Sequence, residues 1–126
     1  MSDIRPEDLV AAAAAHARPY SPSTACTSGG VASALLTEAG NVYTGICIDT
    51  ECSLGFCAEH AAVAEMLKAR ESHIRMIVAV GSDGAVLPPC GRCRELIWQV
   101  SPLNRSTLVV LGDGVLKQLG ELLPDR

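Results

Sequence analysis

Two short stretches hold the residues of this chain best suited to chemistry: Cys57-Ala58-Glu59 and, further along, Pro89-Cys90-Gly91-Arg92-Cys93. Together they supply three thiolates and one carboxylate that a single zinc ion could gather. Three protein ligands leave a tetrahedral metal one open position, and a catalytic zinc uses that position for the water it activates. Glu59 lies two residues from Cys57, close enough to that water to move its proton. On this reading Cys57, Cys90 and Cys93 are the ligands and Glu59 is the proton carrier.

The elements that must position these groups follow from hydrophobic spacing and turn residues. Cys57 opens a helix with apolar residues at Ala61, Ala64, Met66 and Leu67, ending near Arg70. Pro89 suits the first turn of a second helix over about 90–100, stopped by Ser101-Pro102. Both ligand groups therefore fall at helix starts, where free N–H groups and the helix dipole favour thiolates. The Cys-x-x-Cys spacing lets both sulfurs reach one metal from a single turn. Arg92, between them, could withdraw charge from a three-thiolate site by donating to a sulfur.

Around these lies an α/β pattern. A helix is expected over 6–17, with Ser2 or Asp3 as its cap and Pro19 as its stop. A loop follows over 20–30. The apolar runs 31–36 and 41–48 form a hairpin, and 49–56 is a second loop. Strands are expected over 74–80 and 106–111, and a last helix over 115–122. The order α-β-β-α-β-α-β-α implies parallel neighbouring strands with helices on the faces. The length fits one domain, 1–126.

Composition narrows the partners. Hydrophobic residues make up 48% and charged ones 19%, figures that subunit association would account for and that the run Ala11 to Ala15 also inflates. The net charge is −4 and no basic run stands out, so a small free substrate is expected rather than a nucleic-acid polymer. No apolar run is long enough to cross a membrane. The N-terminus is acidic and reads as no signal peptide, so the six cysteines are expected in a reducing cytoplasm. There, clustered cysteines bind metal or do chemistry. Cys26, Cys47 and Cys52 read as small buried apolar residues. A structural zinc with four protein ligands would need one of Cys47, Cys52 or His60. His16 and His73 read as surface residues and Trp98 as packing. Phe56 reads as core, with stacking on a flat ring as its alternative.

A Cys-x-Glu followed by a distant Pro-Cys-x-x-Cys is the signature of zinc-dependent nucleobase deaminases. At these residues the chain resembles the cytidine deaminase family, and within it most closely the blasticidin S deaminase branch. The likeness extends through Val31-Ala32-Ser33-Ala34, Val42-Tyr43-Thr44-Gly45, Ile77-Val78-Ala79-Val80-Gly81 and Glu121-Leu122-Leu123-Pro124, covering about 20–124. It implies a three-layer α/β/α sandwich with a five-stranded mixed sheet. It implies a homotetramer whose neighbouring subunits help close each site, one Zn²⁺ per subunit, and hydrolytic loss of an amino group from a cytosine-type nucleoside. The same chemistry on blasticidin S or another aminated heterocycle is the alternative, and a non-catalytic zinc-stabilised interaction module is the alternative of a different class.

By carry-over, the Ala58 backbone meets the substrate's ring carbonyl and the Pro88 carbonyl meets the leaving amino group. The family's Asn-x-Glu pair, which holds the ribose hydroxyls, is absent. The region reads Ile46-Cys47-Ile48-Asp49-Thr50-Glu51-Cys52, with Asp49 and Glu51 at the same relative spacing but nearer Cys57. Cys47 stands where the blasticidin branch has asparagine, and His60 where an arginine often follows the glutamate. With Phe56, Asp49 and Glu51 complete the expected substrate side.

Overall fold

The computed structural model describes residues 4–125. Helix α1 (Pro6–Ala14) starts at Arg5, whose backbone N–H donates to the Asp8 carboxylate at 3.0 Å. Proline at the first helical position and acids in the first turn suit a helix start. The caps expected at Ser2 or Asp3 lie outside the described residues. The helix ends three residues earlier than expected, and Ala15 to Ala17 form a turn before Pro19.

The stretch expected to be a loop over 20–30 is largely strand. Strand β1 (Tyr20–Ser23) pairs with the start of a long β2 (Cys26–Thr37). Ser, Thr and Gly lack the apolar signature of a strand. Their backbones are nevertheless held between β1 on one edge and β3 (Val42–Thr50) on the other. The β2–β3 hairpin forms as expected, and β3 runs on to Thr50. Helix α2 is Ala58–Lys68 and β4 is Ile74–Gly81. A two-residue β5 (Val86–Leu87) and helix α3 (Gly91–Val100) follow. Pro89 precedes the N-cap Cys90 rather than entering the first turn. Strand β6 (Leu108–Val110) is shorter than expected because 102–106 forms a 3₁₀ turn. The expected last helix divides into β7 (Leu116–Gln118) and a short α4 (Leu119–Leu122). Lys117 pairs with Val109 there, so partnering overrides local propensity.

The sheet is mixed and has seven strands, not five. Five positions run across it in the order β3-β2-β4-β6-β7. The two additional strands are short: β1 shares an edge of β2 with β4, and β5 shares an edge of β4 with β6. Only β4 and β6 are parallel neighbours. Strands β3 and β4, joined through α2, are separated by β2, which pairs antiparallel with both.

Alternation along the strands gives the sheet two apolar faces. Ala34, Leu36, Met76, Val78 and Val80 pack against Leu9 and Ala13 of α1. Leu35, Ile77 and Val109 pack on the other face against Ala62, Val63 and Met66 of α2, Ile97 of α3 and Leu119 of α4. Trp98 is partly buried against this second cluster, and Arg105 lies over its ring at 5.2 Å. Gly45 sets how close α2 can lie to β3. A Cβ there would stand 2.5 Å from Ala61 Cβ and 2.7 Å from the Ala61 carbonyl carbon. That close approach seats the start of α2 over the sheet.

Candidate metal centre and its cleft

Helices α2 and α3 begin on cysteines in nearly the same backbone conformation. Cys57 is the N-cap of α2 (φ −71°, ψ 156°) and Cys90 the N-cap of α3 (φ −70°, ψ 170°). The two sulfurs are 3.4 Å apart. Cys93, one turn into α3, is buried, and its sulfur lies 3.5 Å from that of Cys90. All three sulfurs fall within 4.8 Å of one another and form the one such group of potential metal ligands among the described residues.

The electrostatics of this cluster keep its sulfurs from all ionising unless a cation joins them. Burial pushes the Cys57 thiol up, and burial together with the nearby Glu59 carboxylate pushes Cys93 far up. Burial also opposes ionisation of Cys90, but the backbone N–H groups of Cys93 and Arg92 and the two neighbouring thiols outweigh it and hold that thiol below its ordinary value. Three sulfurs this close cannot all ionise beside a carboxylate without a positive charge among them. A zinc ion with bonds of about 2.3 Å would set tetrahedral ligand sulfurs roughly 3.8 Å apart. The observed separations need only small movements to meet that, so the donor set fits zinc.

Glu59 sits in the first turn of α2 and is only 5% exposed. Burial raises its carboxyl above the usual carboxylate range, against the pull of its own backbone N–H and the Cys93 thiol. His60 follows it. The His60 ring nitrogen Nδ1 lies 3.6 Å from Cys93 Sγ, and its ring stacks on Phe56 at 6.0 Å and 14°. Burial, and then the Arg92 cation, hold its pKa below the ordinary histidine value.

Above the cluster opens a cleft of about 400 Å³. The lining contributed by the two helix starts, its inner end, is Cys57, Ala58 and Glu59 of α2 with Cys90 and Arg92 of α3, next to Val31 and Ala79 of the sheet. The rest of the lining, its outer end, includes Cys47, Asp49 and Thr50 of β3, Phe56 of the loop that follows, and Leu87 and Pro88. Of the residues expected on the substrate side, Ala58, Pro88, Asp49 and Phe56 line this cleft and Glu51 does not. Glu51 turns off into a 3₁₀ turn after β3. Phe56 is 37% exposed and bridges to Ile48, so it forms a wall of the cleft and not core. His60 makes a side-chain contact with a sulfur of the cluster, while Arg92, expected to donate its side chain to a sulfur, acts on Cys90 through its backbone.

Two further cleft residues, Cys47 and Thr50, lie on β3. Cys47 is buried, as expected of a small apolar residue, yet its thiol accepts from the Val31 N–H and donates to Asp49 Oδ2, both at 3.4 Å. Thr50 Oγ1 is buried with no hydrogen-bond partner among the described residues. Thr50 lies beyond the strand expected over 41–48, so the reach of β3 to Thr50 was the missing signal there. Cys52 is exposed, contrary to expectation, and neither it nor Cys26 joins the cluster. His16 is exposed, and His73 is half-buried, 4.0 Å from Glu38.

No protein-family model matches the chain. It is 33% identical over 96 residues to a cytidine deaminase of Mycobacterium tuberculosis, covering 75% of this chain and 70% of that one. It is 31% identical over 99 residues to a cytidine deaminase of Halalkalibacterium halodurans, covering 75% and 74%. Its fold superposes on the crystal structure of cytidine deaminase from Mycobacterium tuberculosis with a TM-score of 0.81, at 29% identity over 98% of this chain and 97% of that one. With its mixed sheet, its paired helix starts and a three-cysteine cluster fit for zinc, this chain belongs to the cytidine deaminase family.

Proposed function

We propose that this protein is a zinc-dependent aminohydrolase that converts cytidine or deoxycytidine to the corresponding uridine and ammonia. The observation that carries the reading is the buried Glu59 carboxyl beside three clustered cysteines at the inner end of a cleft. Membership of a family whose relatives bear the name cytidine deaminase supplies the substrate class.

Cys57, Cys90 and Cys93 would hold the zinc. When bound, zinc supplies a Lewis acid that makes water a nucleophile near neutral pH. Glu59 then takes the proton from the attacking water and delivers it to the ring nitrogen, so that the ring carbon beside the amino group can accept the new C–O bond. A second proton transfer through Glu59 converts the amino group to ammonia as the C–N bond breaks. A carboxyl raised toward neutrality suits both halves of that shuttle. The Ala58 N–H, free at the start of α2, would donate to the ring carbonyl. The Pro88 carbonyl would accept from the leaving amino group. At the outer end, Asp49 is the acceptor for sugar hydroxyls and Phe56 the apolar wall.

The exposed Leu54, Ile48, Phe56 and Leu87 gather on the rim of the cleft and its loop. Such a rim supports a homotetramer in which a neighbouring subunit closes the site. No helix among the described residues is long and apolar enough to cross a membrane. The test is ammonia release from cytidine, deoxycytidine, blasticidin S and cytosine in parallel. Release from the nucleosides is expected. Release from blasticidin S alone would move the substrate while keeping the chemistry, and zinc with four protein ligands and no release would mean an interaction module.

A further inference from the structure

The His60 side chain reaches a sulfur of the cluster, its Nδ1 lying 3.6 Å from Cys93 Sγ. Its ring is held from the other side by the near-parallel Phe56 ring. A thiolate bound to a metal only accepts hydrogen bonds, and a neutral imidazole carries a single N–H. The contact at Nδ1 therefore requires that the proton sit there once the metal is loaded. We infer that His60 is a positioning residue that donates its Nδ1–H to the Cys93 thiolate, with Phe56 fixing the ring in the orientation this requires. Partners of this kind withdraw charge from a ligand sulfur and hold it in place. A three-thiolate site has a net negative charge to shed, and Cys93 is the ligand most deeply buried from water.

This rests on the reading of Cys93 as a zinc ligand and not on any substrate. Two substitutions separate the donor from the ring. In His60→Asn the side-chain amide nitrogen occupies nearly the place of Nδ1, so the donor is kept and the ring is lost. In His60→Phe the ring and its stack are kept and the donor is lost. Zinc affinity, measured by competition with a chromogenic chelator, should fall about 10- to 100-fold in His60→Phe. It should stay within about threefold of wild type in His60→Asn. The sulfur-to-metal charge-transfer band of the cobalt-substituted protein should move in the Phe variant alone. Wild-type protein gives a reading that needs no variant to fold: nitrogen NMR of its three histidines should show His60 as the Nδ1–H tautomer when zinc is bound. The Nε2–H tautomer, or a His60→Phe variant matching wild type in zinc affinity, would overturn the inference alone. A wild-type chain that binds no zinc would overturn the metal reading and this inference together.

Discussion

The two ends of the cleft are built in different ways. The inner end is set on two helix starts, packed on one sheet face through Ala62, Val63 and Ile97. Its functional atoms are fixed by regular backbone, with both N-cap cysteines in the same conformation. The outer end is mostly the tail of an edge strand, β3, and the turn that follows, where Cys52 and Ser53 both have positive φ, with Leu87 and Pro88 beside them. Cys47 donates to Asp49 there, Phe56 leans on His60 of α2, and Thr50 Oγ1 has no hydrogen-bond partner among the described residues. On the proposed function, rigid elements would carry the reaction and an irregular segment the choice of substrate.

The largest effect should come from the inner end. Glu59→Gln should lower kcat by at least about 10²- to 10⁴-fold, the usual worth of a positioned acid–base group. Zinc content by metal analysis should stay near one per chain. Cys93→Ser should lose both zinc and turnover, since one of three ligand sulfurs is gone. If either variant kept near-wild-type rates, the division between the two ends would be broken.

Substitutions at the outer end should act on KM. Asp49→Asn removes the charged acceptor and should raise KM for cytidine about tenfold, with kcat within a few-fold. Gly55→Ala tests the loop itself. A Cβ there would run into the Ile48 carbonyl and stand 2.6 Å from its carbon, disturbing the bridge that holds Phe56. Steady-state kinetics should show KM rising with zinc content unchanged. An equal fall in kcat would mean that the two ends are one unit.

Much of the inner end was legible because metal chemistry constrains residue type and spacing together. Cys57, Glu59, Cys90 and Cys93 stand out in the bare sequence for that reason. The outer end was legible only in part, since hydrogen bonding to a substrate can be met by many side chains. Phe56 and Asp49 were anticipated and Cys47 was marked as a departure from the family pattern, but Glu51 turns away and Thr50 was passed over. In the fold, strands with continuous apolar runs such as β4 were plain. Strands β1, β5 and β7 were hidden, because their residues are exposed or few and sheet partners decide their conformation.

The smallest effects concern stability, and they contrast Glu59 with a carboxylate remote from the cleft. Glu71 accepts from the Tyr43 hydroxyl at 2.6 Å and from Asn41 Nδ2 at 2.8 Å, and the Tyr43 bond does most to hold its pKa below 4.5. The native state then binds fewer protons than the unfolded chain near that pH. Glu71 therefore stabilises the fold above about pH 4.5 and loses that contribution as pH falls through its native pKa. Glu59 is raised instead, so in the metal-free protein its contribution runs the other way and stability falls as pH rises above 4.5. Thermal melts of metal-free protein from pH 4 to 8 should show Glu71→Gln less stable than wild type toward neutral pH and Glu59→Gln more stable. The reverse order would mean that the buried carboxyl is held for structure and not for chemistry.

The most direct test of the inner end is ammonia release by the zinc-loaded wild-type chain on cytidine and deoxycytidine, run beside Glu59→Gln at matched zinc content. The account predicts uridine or deoxyuridine and ammonia in equal amounts from wild type, and a rate lower by orders of magnitude from the variant. A zinc-loaded, folded wild type that releases no ammonia from either nucleoside, or a variant that matches it, would contradict the account.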